Sequence, residues 1–200
     1  MCPPPPQLRV AGAAAPLPQR ADGVFGAFDV DLPAVPLPTV AVEMVRPAGP
    51  PRDIPLAPSG KPQEPSAHEW EAAALYSLRL DVPSGFDASA TEVRLAIGYA
   101  ADAARVSLGG VLLTDNWLSG YTGDGALEVG LSYLAGEVPG LLTNGTALQL
   151  QLLPLKRASL EKNVFIQRAL WPDFGADDVV CRVDGVTPLA LQYTELVASA

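Results

Sequence analysis

The chain has 200 residues, 48% hydrophobic and 18% charged, with a formal net charge of -9; so much apolar side chain supports one packed domain and excludes disorder along most of the length. The acidic balance leaves no basic footprint, which excludes nucleic acid and anionic membrane surfaces as partners and leaves neutral sugars and proteins open. Two cysteines far apart, Cys2 and Cys181, with the single histidine His68, give neither a disulfide scaffold nor a common zinc ligand set.

Residues 1–20 are rich in proline and alanine without a regular period and read as a flexible arm. Met1 to Pro6 has prolines where an export signal needs a basic region and an apolar helix, so no signal peptide is expected. No later stretch is apolar for long enough to span a bilayer. Residues 21–200 are expected to form one domain. Val24, Phe25, Phe28 and Val30, then Val40, Val42 and Val45, predict two strands separated by Pro33 to Pro38. Pro47 to Pro65 is dense in proline, which denies donors to a ladder, and predicts an extended surface connection. Ser66 with Glu69 three positions on has the form of a capping box, so one short helical turn is expected around His68 and Trp70.

Tyr76, Leu78, Leu80 and Val82 alternate with polar residues and predict a strand with one face on a core. The same period recurs at Val93, Leu95, Ile97 and Tyr99, and at Ala104, Val106 and Leu108. There Gly109 and Gly110 predict a hairpin turn into Val111 to Leu113. A loop is expected from Asp115 to Gly125. Leu127, Val129 and Leu131, then Leu148, Leu150 and Leu152, give two more strands, and Asn144-Gly145 reads as a turn in preference to the glycosylation acceptor that Asn144, Gly145, Thr146 also spells. Val164 and Ile166, Val179 to Val183, and Leu189, Leu191 and Tyr193 predict three final strands, with a turn at Asp184-Gly185 between the last two. Many short strands without intervening helical periods predict an all-β fold, an antiparallel two-sheet β-sandwich of the jelly-roll kind.

The run Ala101 to Val106, then Gly110, Asp115, Asn116, Trp117, Gly120, then Glu128 to Leu131 and Leu153, Pro154, Leu155, resembles the C-terminal, galactose-binding-like jelly-roll module of family-35 glycoside hydrolases, which are mainly β-galactosidases. Weaker similarity runs through Val24 to Pro65, including Ile54 to Pro58, and through Pro172 to Leu196. The resemblance implies an accessory module whose partner is a catalytic TIM barrel. In such a barrel two glutamates hydrolyse β-galactosides by a retaining mechanism, with carboxyls about 5–5.5 Å apart. A barrel needs roughly 250 residues of alternating strand and helix, and this chain shows no such alternation. The sequence departs from the family pattern at Leu127, where an aromatic is usual, at Gly109, where an asparagine is usual, and in a longer glycine-containing loop from Asn116 to Leu127.

No catalytic residue is assigned. Asp102, Asp115, Asp124 and Glu128 cluster around the motif and could line one end of a sandwich. Their structural reading is stronger: Asp102 and Asp115 flank strands, Asp124 lies in a turn, and Glu128 takes the polar phase of a strand. His68 has no neighbours that suggest a triad. No cofactor and no metal site is expected, although calcium held by loop oxygens remains open. Sugar rings stack on aromatic side chains while carboxylates and amides hold their hydroxyls. On that chemistry the candidate sugar-binding residues are Asp115, Asn116, Trp117, Tyr121 and Glu128, with Tyr133 as a further aromatic. Packing in the core or its rim is the competing role for Trp117. Three expectations follow: a non-catalytic accessory module of a β-galactosidase, a freestanding lectin-like protein that binds galactosides, or a fragment of a longer protein.

Overall fold

The computed structural model describes residues 7–11, 17–22, 25–31, 34–88, 91–117, 126–162 and 167–199. In chain order the strands are β1 (Gln7–Val10), β2 (Gln19–Asp22), β3 (Phe25–Phe28), β4 (Thr39–Arg46), β5 (Ala74–Asp81), β6 (Thr91–Ala100), β7 (Ala103–Leu108), β8 (Val111–Trp117), β9 (Ala126–Gly130), β10 (Ala147–Leu153), β11 (Leu155–Lys156), β12 (Val179–Val180), β13 (Arg182–Gln192) and β14 (Leu196–Ser199). Three five-residue helices join them: α1 (Ala67–Glu71), α2 (Leu131–Ala135) and α3 (Arg157–Glu161).

The protein is an all-β sandwich. A wide sheet runs in the order β4, β5, β10, β7, β8, and a narrow one in the order β13, β6, β9. All pairings in both are antiparallel. The narrow sheet lies along the wide one with β13 beside β4 and β9 beside β8. Three two-stranded ladders, β1 with β14, β2 with β3 and β11 with β12, complete the pairing among the described residues.

Alternation in sequence becomes alternation across the pleat. Leu78, Leu80, Val106, Leu148, Leu150 and Leu152 of the wide sheet face Val93, Leu95, Ile97, Tyr99, Leu127 and Val129 of the narrow one, and all are buried. Each such side chain contributes about 1.5–3 kcal/mol by leaving water, so this interior holds the two sheets face to face. A smaller cluster lies outside the wide sheet: Trp70 of α1 and Ala73, just after it, pack with Ala103 and Leu153. That helix starts as its sequence predicts. The Ser66 side chain accepts from the Glu69 backbone N–H, and the Glu69 carboxylate accepts from the Ser66 backbone N–H.

Several boundaries depart from the sequence reading: Gln7–Val10 and Gln19–Asp22, the first and half of the second read within a flexible arm, form β1 and β2, and Val179 to Val183 is divided between β12 and β13. The expected loop from Asp115 begins later, because β8 stays on β7 as far as the pair Ala103 and Trp117, absorbing a register shift near Val106 and Ser107. Leu131 is not the end of a strand but the first residue of α2; it is fully buried, and the next residue, Ser132, turns its hydroxyl back to the Thr91 carbonyl and the Val93 N–H. Asp184 and Gly185 do not separate two strands. They form an irregularity within β13, which pairs with β6 from Arg182 to Gln192, and Gly98 of β6 lies against them. The expected strand at Val164 and Ile166 lies outside the described residues. The Gly109-Gly110 hairpin has φ of 57° and 86°, left-handed backbone that glycine adopts without steric penalty. Asn144 and Gly145 form a turn before β10, with the Asn144 side chain accepting from the Val82 N–H at 3.2 Å.

Candidate functional site

The five candidate sugar-binding residues separate by strand phase. Register sets Arg105 opposite Asp115 and Ala103 opposite Trp117. Because Ala103 belongs to the cluster under Trp70, Asp115 and Trp117 share the outer face of the wide sheet. Asn116 takes the opposite phase beside the buried Ala104, facing between the sheets, and its Nδ2 is buried with no hydrogen-bond partner among the described residues. Tyr121 lies outside the described residues, as does Asp124. Glu128 on β9 pairs with Ala96 and takes the outer face of the narrow sheet. Asp115 and Glu128 therefore project from opposite faces of a sandwich whose sheets are about 10 Å apart. They do not converge on one glycosidic bond as an acid and nucleophile pair must.

Glu128 is engaged where it stands, at 3.5 Å from Arg94 Nη1, and Arg94 Nε donates to Glu92 at 2.6 Å. The Tyr193 hydroxyl also donates to Glu92, and with Arg94 it holds the Glu92 carboxyl below the usual glutamate range. Tyr133 is 76% exposed on α2. It follows the end of β9 that pairs with Arg94, whereas Trp117 lies at the opposite end of the sheets, beside Ala103. The two aromatics do not form one platform.

The outer face of the wide sheet carries more than Asp115 and Trp117. The Arg105 guanidinium stacks 4.3 Å from the centroid of the Trp70 ring. Its Nε donates to Gln151 Oε1 at 2.7 Å, and Gln151 Nε2 donates to the Trp70 carbonyl at 3.4 Å. Partial burial lowers the Arg105 pKa from its ordinary value. One row further along the pleat, Ser77, Gln149 and Ser107 stand side by side on β5, β10 and β7. Trp117 is 42% exposed, so its ring is not absorbed into the core. The polar phases of these strands were legible in the sequence, but the register that lines them up across four strands was not.

Asp102 does not cap a turn. It is 7% exposed and ion-paired with Arg52, Nε to Oδ2 at 2.6 Å. Arg52 comes from the proline-rich connection, which is thereby pinned to the sandwich and further closed by a bridge between Leu56 and Pro62. Burial pushes the Asp102 carboxyl above the usual aspartate range against the pull of Arg52. Nearby, burial and the Asp102 charge raise the pKa of Tyr99, whose buried hydroxyl has no partner among the described residues. Asp102 thus has a structural role through a partner 50 positions away. His68 is exposed, with Nδ1 3.2 Å from the Glu71 carboxylate. Cys181 is free, and burial pushes its thiol up to about 11, away from thiolate chemistry. Among the described residues no group of three His, Cys, Asp or Glu side chains is placed to hold a metal ion, and no helix is long and apolar enough to cross a membrane.

No protein-family model, no curated protein and no solved structure matches this chain. The fold and the face just described define the class, an all-β sandwich with a polar outer sheet face bordered by an exposed tryptophan.

Proposed function

We propose that the chain is a non-catalytic accessory sandwich supporting a glycoside hydrolase of the β-galactosidase type, in which a TIM barrel outside these 200 residues carries the chemistry. The observation that carries this reading is an apolar flank. Val42 and Met44 of β4 share the core-side phase with Leu78 and Tyr76, yet they remain 43% and 55% exposed. The adjoining β13 exposes Leu189 and Leu191 at 42% and 47% on the outer face of the narrow sheet. Exposed apolar groups on two adjoining edge strands, the β4 pair on the core-side face of the wide sheet and the β13 pair on the outer face of the narrow one, suit burial against another protein domain. The separation of Asp115 from Glu128 supports a non-catalytic role, and the resemblance of the segment from Ala101 to Leu155 to family-35 accessory modules supplies the kind of domain.

A second reading, a freestanding lectin-like protein, is favoured by the exposed Trp117. Two measurements test the first. The pure chain should show no turnover of a chromogenic β-galactoside, and turnover lost on Asp115→Asn or Glu128→Gln would overturn it. In source cells, an antibody against residues 70–117 should detect this sequence joined to, or co-purifying with, a barrel domain; the chain found alone leaves the lectin reading.

A further inference from the structure

We infer that the outer face of the wide sheet is a binding surface for a neutral oligosaccharide, with Trp117 as its stacking platform and the polar rows beside it holding the sugar hydroxyls. The inference rests on the sugar-binding reading that the exposed Trp117 favours and deepens it with a face and a ligand class; it does not require a barrel partner.

Three features separate this face from an ordinary solvated sheet surface. The first is chemistry. In one row Gln151, Arg105 and Asp115 lie on neighbouring strands, and in the next Ser77, Gln149 and Ser107 do the same. Amides, hydroxyls and a carboxylate donate to and accept from hydroxyl groups. Arg105 stands directly opposite Asp115, and where the rows run on to β4 they add Arg46 opposite Leu75 and Glu43 opposite Ser77, so cations and anions balance along them and suit an uncharged ligand.

The second is preorganisation. Arg105 is held between the Trp70 ring and the Gln151 side chain, so its remaining donors are presented without the ordering cost of a free arginine. The third is the indole. Trp117 belongs to none of the core clusters and is 42% exposed at the rim of this face, and an exposed indole meets the C–H face of a sugar ring. From β5 to β8 the face spans three strand spacings, about 14 Å, which suits several linked rings rather than one.

The test is a fluorescence and calorimetric titration of the full chain with linear, neutral trisaccharides, beginning with β-linked galactotriose and including gluco- and manno-trioses. Trp117 is the most exposed of the three tryptophans, since Trp70 is 7% exposed and Trp171 is half-buried. Saturable binding should therefore perturb the emission of Trp117. Trp117→Ala should weaken binding about tenfold or more, a loss of roughly 1.4 kcal/mol. Gln149→Ala, at an exposed position that leaves the fold intact, should weaken it severalfold. Glu137→Gln, after α2, should leave it unchanged. No saturable binding of any trisaccharide at millimolar concentration would overturn the inference. So would binding lost on Glu128→Gln but retained in Gln149→Ala, which would move the site to the opposite sheet. Absence of a barrel partner in source cells would sink the accessory role and leave this titration untouched.

Discussion

Arg52 emerges from a run of prolines and ends where its side chain is 7% exposed, 2.6 Å from the buried carboxylate of Asp102. Its Nη1 is 3.5 Å from Glu69 Oε1, too long for a good hydrogen bond, so Asp102 is its main partner. Truncating one member of such a pair strands the other charge in a poorly solvated site. Arg52→Ala is expected to destabilise the protein by about 3–5 kcal/mol, read as a lower denaturation midpoint in urea with little change in slope. A loss below about 1 kcal/mol, typical of exposed pairs, would show that the proline-rich connection is not fastened here. Asp102 was legible as a structural residue because it stands between two strands. Its partner was not, because a sequence gives no distance between positions 52 and 102, and a proline-rich run carries no periodicity to place one arginine.

At the scale of elements, local signals were read well and pairings were not. The α1 cap is set by residues three apart, so Ser66 and Glu69 announced it. By contrast, β8 runs on through Asp115 and Asn116, polar residues that read as loop, because β7 keeps pairing with it as far as Trp117 across one register shift. For the same reason β13 carries Asp184 and Gly185 within a strand. The candidate site suffered most from this limit. One-residue alternation sends Asn116 to the inner face and its neighbours outward, while Glu128 lies on a different sheet, and only the register reveals either. The α1 cap also gives a pH dependence. Glu69 is held below its ordinary value of 4.5, first by the Ser66 N–H it accepts from, then by the Ser66 hydroxyl and Arg52. A lowered folded-state pKa means that the contribution is present above the unfolded value and is lost as pH falls through the folded one. Glu69→Gln, which keeps an acceptor for the Ser66 N–H, should therefore melt below the native chain at pH 7 by about 0.3–1 kcal/mol, the contribution of a carboxylate at a helix N-terminus. That difference should close as both are acidified to well below pH 4.5. A gap independent of pH would mean that carboxylate charge is not what holds the cap.

For the whole molecule, unequal sheet widths carry the argument. Five strands face three, and the core-side residues of the outermost strand β4 are only partly covered. Val42 and Met44 keep the alternation of core residues without the burial, and the adjoining β13 adds Leu189 and Leu191 on its outer face. Alternation in the sequence showed that β4 has an apolar side but could not show that the opposing sheet stops short of covering it. Because these side chains are already 42–55% exposed, replacing Val42 and Leu189 together with lysine should change the stability of the isolated chain by no more than about 0.5 kcal/mol per site. A partner buried there would have to desolvate two new charges. On the proposed accessory role, association with a family-35 barrel domain, followed by analytical ultracentrifugation, should then weaken tenfold or more, while the trisaccharide binding proposed for the other side of the wide sheet should stay as it was. If the double variant associates as well as the native chain, the flank is not the docking surface. If it loses sugar binding as well, the two surfaces are not independent, and the separation of docking and glycan contact onto different parts of the sandwich fails with it.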